Sequence, residues 1–285
     1  MPDRPFSPGD NPLGIDGIEF IEFAAPDPAL LGALFEQMGF TAVARHRSKE
    51  VVLYRQGEIN FLINAGPDAL EESFTQRPAE PLIYAVALRV KNAAEALRQA
   101  TSLGAWEVPT RPSAMELNIP GIHGIGDSLL YFVDRYGDRS IYDVDFLPIP
   151  DAQQRSVGLR AIDHLGYLVA RGRTEEWVDW CESLFDFREV AHCEIEAELS
   201  GVNSRAVVSP CGKIHFVFNE PRNERDTRRE LDEPEGIQHV ALSTADALAC
   251  VETLSGRGAK FAERSARRAI TEPLIGQFFF EIVQR

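Results

Sequence analysis

Apolar and polar positions follow one plan four times along the chain. "GIEFIEFAAPDPALLGALFEQMGF" (17–40), "LIYAVALRVKNAAEALRQATSLGA" (82–105), "AIDHLGYLVARGRTEEWVDWCESLFDF" (161–187) and "GIQHVALSTADALACVETLSGRGAKF" (236–261) each begin with period-two alternation. A polar break and an apolar stripe of helical spacing follow, so each stretch predicts a strand and then an amphipathic helix. Gly104 and Gly258 stand where a helix end favours a left-handed residue. Further strands are predicted behind three of the four copies. These are hairpins over 50–65 around Gln56-Gly57, over 128–147 around Tyr136-Gly137-Asp138, and over 204–221 around residues 209–212. The fourth copy closes with one strand, "GQFFFEIVQR" (276–285), and its unit reads as short of strands.

The repeating element is therefore βαβββ, in the order A-B-A′-B′. The expected class is α+β. Two pseudo-equivalent half-barrel domains, 13–148 and 159–285, have helices outside and a strand-lined cavity within. The proline-bearing segment 149–158 joins them.

Aligning the two halves by their own repeat isolates three residues. His164 falls opposite Phe20, His239 opposite Ala85, and Glu281 opposite Asp143. Both histidines are thus specific to the C-terminal half, whereas a generic core role would recur in both. Alternation groups His164 with Ile162 and Gly166, His239 with Ile237 and Ala241, and Glu281 with Phe279 and Val283. A carboxylate within "FFFEIV" is costly to bury unless paired or metal-bound. Two imidazoles and one carboxylate from separate strands suit a facial three-donor site of the non-haem Fe(II) kind. Zinc accepts the same donor types, so residue type alone leaves both metals open. The remaining histidines have no partner pattern: His46 and His123 are expected in loops, His192 and His215 on strands.

Composition narrows the partners. The 285 residues carry a net charge of −15, which disfavours nucleic acid and anionic membrane surfaces. No apolar run reaches 18 residues, and the N-terminus has no signal-peptide pattern. Cys181, Cys193, Cys211 and Cys250 form no C-x-x-C pair and are expected to be reduced packing residues of a cytoplasmic protein.

Seven segments carry a resemblance that spans nearly the whole chain: "EFIEFAAPDP", "MGFTAVARHRSKEVVLYRQGEINFLIN", "MELNIPGIHGIGDSLLYFVDRYG", "SIYDVDF", "IDHLGYLV", "GIQHVAL" and "FFFEIVQR". Through them the chain resembles the 4-hydroxyphenylpyruvate dioxygenases of the vicinal oxygen chelate superfamily. The resemblance implies Fe(II) held by the histidines of I-D-H and I-Q-H and the glutamate of F-F-E, here His164, His239 and Glu281. It implies substrate contacts from Ser204, Asn219 and Gln238, and Phe278, Phe279 and Phe280 are candidates for an aromatic lining. Ideal alternation points Gln238 away from His239. The implied reaction joins an aromatic 2-oxo acid, 4-hydroxyphenylpyruvate, with O2. Oxidative decarboxylation and ring hydroxylation with side-chain migration then give homogentisate, within tyrosine catabolism. A dimer or tetramer is the expected assembly.

Three departures from the family accompany the likeness. The stretch between His239 and Glu281 is shorter, residues 219–239 lack an S-Q-I-x-x-F-L segment, and the lid helix expected after Arg285 is missing. These read as omitted loops and tail rather than as a shortened variant. The competing functions are a hydroxymandelate synthase-type dioxygenase on the same substrate, a differently metallated glyoxalase-like enzyme, and a non-catalytic binding module of the same fold.

Overall fold

The computed structural model describes residues 11–67, 69, 81–110, 112, 116–153, 156–190, 202–222, 235–274 and 278–285. The stretch 223–234, where one departure falls, lies outside them, as do His192 and Cys193.

The N-terminal half is one eight-stranded sheet. Its elements are β1 (Ile18–Ala24), α1 (Pro28–Gln37), β2 (Thr41–His46), β3 (Val51–Gln56), β4 (Ile59–Asn64), β5 (Leu82–Arg89), α2 (Ala93–Ser102), β6 (Gly121–His123), β7 (Leu129–Val133), α3 (Ile141–Asp145) and β8 (Phe146–Pro148). The C-terminal half is a second eight-stranded sheet. It contains β9 (Leu159–Leu168), α4 (Thr174–Phe185), β10 (Arg188–Val190), β11 (Val202–Val208), β12 (His215–Pro221), β13 (Gly236–Thr244), α5 (Ala247–Gly256), β14 (Phe261–Arg264), β15 (Arg268–Thr271) and β16 (Phe279–Gln284). The strand orders are β6-β7-β5-β1-β4-β3-β2-β8 and β10-β11-β12-β9-β13-β16-β15-β14. In both sheets the first strands of the two units pair antiparallel at the centre, β1 with β5 and β9 with β13. Each first strand also pairs parallel with a later strand of its own unit: β1 with β4, β5 with β7, β9 with β12 and β13 with β16.

Local chemistry fixes where the helices start. Asp27, Asn92 and Asp246 each accept a hydrogen bond from the backbone N–H three residues on, capping α1, α2 and α5. Gly104 and Gly258 take the left-handed conformation beyond α2 and α5.

Three sequence expectations fail here. Unit B′ is not short of strands: Phe261–Arg264 and Arg268–Thr271 form an antiparallel hairpin, and β15 pairs onto β16. The Ser265 hydroxyl accepts from the backbone N–H of Arg268 and donates to its carbonyl, closing a turn too short to show as a turn signal. The expected hairpin over 128–147 does not form. After β7 the Asp143 carboxylate accepts from the backbone N–H of Ser140, and this capping box starts α3 where a strand was expected. Strand β8 then pairs with β2, on the far edge of the sheet. His46 and His123 close β2 and β6 rather than lying in loops.

Alternation along the central strands separates two environments. Ile21, Phe23, Leu165, Tyr167 and Phe280 point to one face and join a core that includes residues from α1, α2, α4 and α5 of both halves. Phe280 stacks on Phe61 across the halves, with ring centroids 5.7 Å apart and planes within 7°. The opposite faces carry Phe20 in the first sheet and His164 in the second.

Candidate metal centre

His164 on β9, His239 on β13 and Glu281 on β16 meet on three adjacent strands, and all three are fully buried. His164 Nε2 lies 3.3 Å from His239 Nε2 and 3.4 Å from Glu281 Oε2, and His239 Nε2 lies 3.5 Å from that same oxygen. Three donors each about 2.1 Å from one shared cation stand roughly this far apart. Glu281 Oε2 has no hydrogen-bond partner, and neither does His239 Nδ1. A buried carboxylate oxygen without a donor, facing two imidazole nitrogens, is the arrangement a divalent cation satisfies.

The surroundings hold these donors ready. His164 Nδ1 is 2.9 Å from the Asp163 carboxylate, which places its proton there and leaves the Nε2 lone pair free. Arg285 in turn grips Asp163 with two bonds of 2.6 and 2.9 Å. Burial alone would raise the Asp163 carboxyl, but Arg285 and His164 outweigh it and hold the group well below the usual range. Burial pushes His239 down to about 3, with the neighbouring His164 adding to the effect. Burial also opposes ionisation of Glu281, yet His164, His239 and Arg268 bring it down to about 2. His164 is raised against the pull of burial by its two carboxylate neighbours. A neutral imidazole and an ionised carboxylate are the ligating forms.

Glycine makes room for one donor. Gly166 pairs with His239 across β9 and β13, and a Cβ at Gly166 would lie 1.8 Å from His239 Cε1. On its other side the His239 ring stacks against Phe279 at 4.8 Å and 14°. Phe279 is therefore the member of the Phe triplet beside the site. Phe278 and Phe280 point the other way, into the rings of Phe23 and Phe61, which corrects their assignment as lining: adjacent strand residues face opposite sides.

The strand registers also correct one internal correspondence. Phe20 pairs with Ala87 as His164 pairs with Ala241, and Ala87 pairs with Tyr131 as Ala241 pairs with Glu281. The counterpart of Glu281 is thus Tyr131, not Asp143, which the capping box draws into α3. Where the C-terminal half holds three candidate metal donors, the N-terminal half holds Phe20, Ala85 and Tyr131, with the two aromatic rings 6.3 Å apart.

The three substrate candidates lie differently. Ser204 and Asn219 face each other across β11 and β12, and the Ser204 hydroxyl donates to Asn219 Oδ1 at 2.7 Å. Asn219 Nδ2 is buried without a partner. Its counterpart by register is Asn64, whose Nδ2 donates to Glu22 at 2.6 Å. The amide recurs in both halves, and its free donor belongs to the C-terminal half, where Gly166 replaces Glu22. Gln238 is half-buried at a register shift between Ile237 and His239, so the ideal alternation that turned it away from His239 breaks at this residue.

Comparison with known proteins gives the family of the chain. Residues 9–147 match the family described as "Hydroxyphenylpyruvate dioxygenase, HPPD, N-terminal", and residues 161–273 match the "Glyoxalase/Bleomycin resistance protein/Dioxygenase superfamily". A 4-hydroxyphenylpyruvate dioxygenase of Pseudomonas aeruginosa is 47% identical over 259 residues, covering 88% of this chain and 72% of that protein. The chain belongs to the 4-hydroxyphenylpyruvate dioxygenase family. Hemolysin VllY of Vibrio vulnificus, also 47% identical, is covered to 73% by 88% of this chain. Among solved structures, a xylose isomerase-like TIM barrel/4-hydroxyphenylpyruvate dioxygenase fusion protein superposes on the whole chain with a TM-score of 0.78 at 29% identity, over 51% of its own length. The dioxygenase family's tandem, glyoxalase-like α+β architecture is the one seen here. Among the described residues no helix is long and apolar enough to cross a membrane.

Asp163, Gly166 and Arg268 contact the three candidate donors and were missed by the sequence reading. The first two were signalled: an Asp directly before His164, and a Gly two positions after it on the same face. Arg268 was hidden because its strand went unrecognised.

Proposed function

We propose that the protein is an Fe(II)-dependent dioxygenase converting 4-hydroxyphenylpyruvate and O2 to homogentisate and CO2, with His164, His239 and Glu281 as the metal ligands. The observation that carries this reading is the convergence of three buried donors, absent from the equivalent positions of the N-terminal half, in a chain of this family. Bound iron would supply the redox chemistry with O2 and a Lewis-acidic anchor for the 2-oxo acid. The chain supplies the rest. Three protein donors leave further coordination positions open. Burial of the centre keeps water from competing. Asn219 offers an unspent amide donor, aligned by the Ser204 hydroxyl, to a polar group of the substrate. Gln238, beside His239 on the bulged strand, is the third substrate contact in this reading. Placement in tyrosine catabolism, in the cytoplasm and in a dimer or tetramer goes with the same assignment.

The test is anaerobic loading with Fe(II), then addition of 4-hydroxyphenylpyruvate and air. Equimolar O2 uptake with homogentisate as the product is expected. Hydroxymandelate as the product would move the assignment to the synthase, and substrate binding without turnover would make the protein a binding module.

A further inference from the structure

Glu281 divides its two oxygens between two tasks. Oε2 faces His164 and His239. Oε1 is taken by a close ion pair with the Nε of Arg268, from the neighbouring strand β15. Arginine stays charged at all working pH values, and its bond to a carboxylate is charge-assisted. The guanidinium is itself held: the side chain is 18% exposed, and Nη1 approaches Glu263 at 4.0 Å. Its backbone is pinned by the Ser265 turn.

We propose that Arg268 is a positioning residue that confines Glu281 to one-oxygen ligation of the metal and so keeps coordination positions open for a chelating anion. This inference rests on the metal-centre reading above. A free carboxylate can close on a cation with both oxygens and occupy a position meant for substrate. Arg268 denies Oε1 to the metal. It also offsets the charge of Glu281, leaving the charge of a bound divalent cation to attract a two-oxygen ligand such as a 2-oxo acid.

The test uses the full chain loaded with Co(II), whose visible absorption reports coordination number, and oxalate as the two-oxygen probe. Wild type is expected to bind one Co(II) and then oxalate, with a change in the visible band. Arg268→Met is expected to show an altered Co(II) band and at least tenfold weaker oxalate binding. Arg268→Gln, whose amide can still donate to Oε1, is expected to recover much of both. Thermal melts of the metal-free proteins guard against misfolding; if the methionine variant melts early, Arg268→Ala supplies the reading, with weak oxalate binding that added guanidinium restores expected, and wild-type oxalate binding without guanidinium overturning the proposal. An unchanged band and unchanged oxalate affinity in a folded Arg268→Met protein overturn the proposal, as does a wild type that takes up no Co(II). Homogentisate production is scored separately: its absence with the oxalate effect intact refutes the dioxygenase assignment and leaves the clamp standing.

Discussion

Gly166→Ala is expected to weaken metal binding at least a hundredfold without replacing a candidate ligand. A Cβ at this position would lie 1.8 Å from His239 Cε1 and 2.2 Å from Nδ1, far inside any real contact. Either the ring or the strand must move. The ring is fully buried and backed by Phe279, so it cannot retreat from the new Cβ along its stacking direction. Rotation about the side chain carries Nε2 away from His164 and Glu281, and the three-donor triangle opens. Losing the geometry of one of three ligands should weaken Co(II) or Fe(II) binding by at least a hundredfold. The overpacking itself costs about 1–3 kcal/mol of stability. A metal titration beside a thermal melt separates the two effects. Affinity within threefold of wild type would show that the site tolerates a side chain at residue 166 and that the observed cradle is not required.

The second large effect is on stability. Phe280→Ala should destabilise the protein by about 3–5 kcal/mol, the usual cost of emptying a buried aromatic site. Phe280 is completely buried and packs on Phe61, Phe35 and Phe278, joining strand β16 to the N-terminal half. Its neighbour Phe279 faces the metal centre, so Phe279→Ala should spare more of the stability and loosen the His239 ring. Denaturant unfolding of the two variants checks the contrast. A loss below about 1 kcal/mol for Phe280→Ala would mean that the two halves do not depend on this contact.

The two substitutions also show what was legible beforehand. The βαβββ repeat stood out because strand and helix periods alternate four times and glycines mark two helix ends. His164 and His239 stood out because one half of the chain serves as a control for the other: Phe20 and Ala85 fill the same positions with no ligating atom. Glu281 was found from its apolar setting, although its assigned counterpart was wrong. Asp143 lies within a sequence that alternates like a strand, and only the capping hydrogen bond to Ser140 reveals the helix. The hairpin Phe261–Thr271 was missed for the opposite reason, because its strands are four residues each and largely polar on one side. Arg268 was lost with that hairpin. The bulge at Gln238 and the two sides of the Phe triplet depend on register, which pairing between strands decides and a single strand's pattern cannot.

The central claim is that His164, His239 and Glu281 form one metal centre. Its most direct test is a Co(II) or anaerobic Fe(II) titration of the wild type and of His239→Ala. One tightly bound ion per chain in the wild type and none in the variant are expected. Full binding retained by His239→Ala would contradict the account.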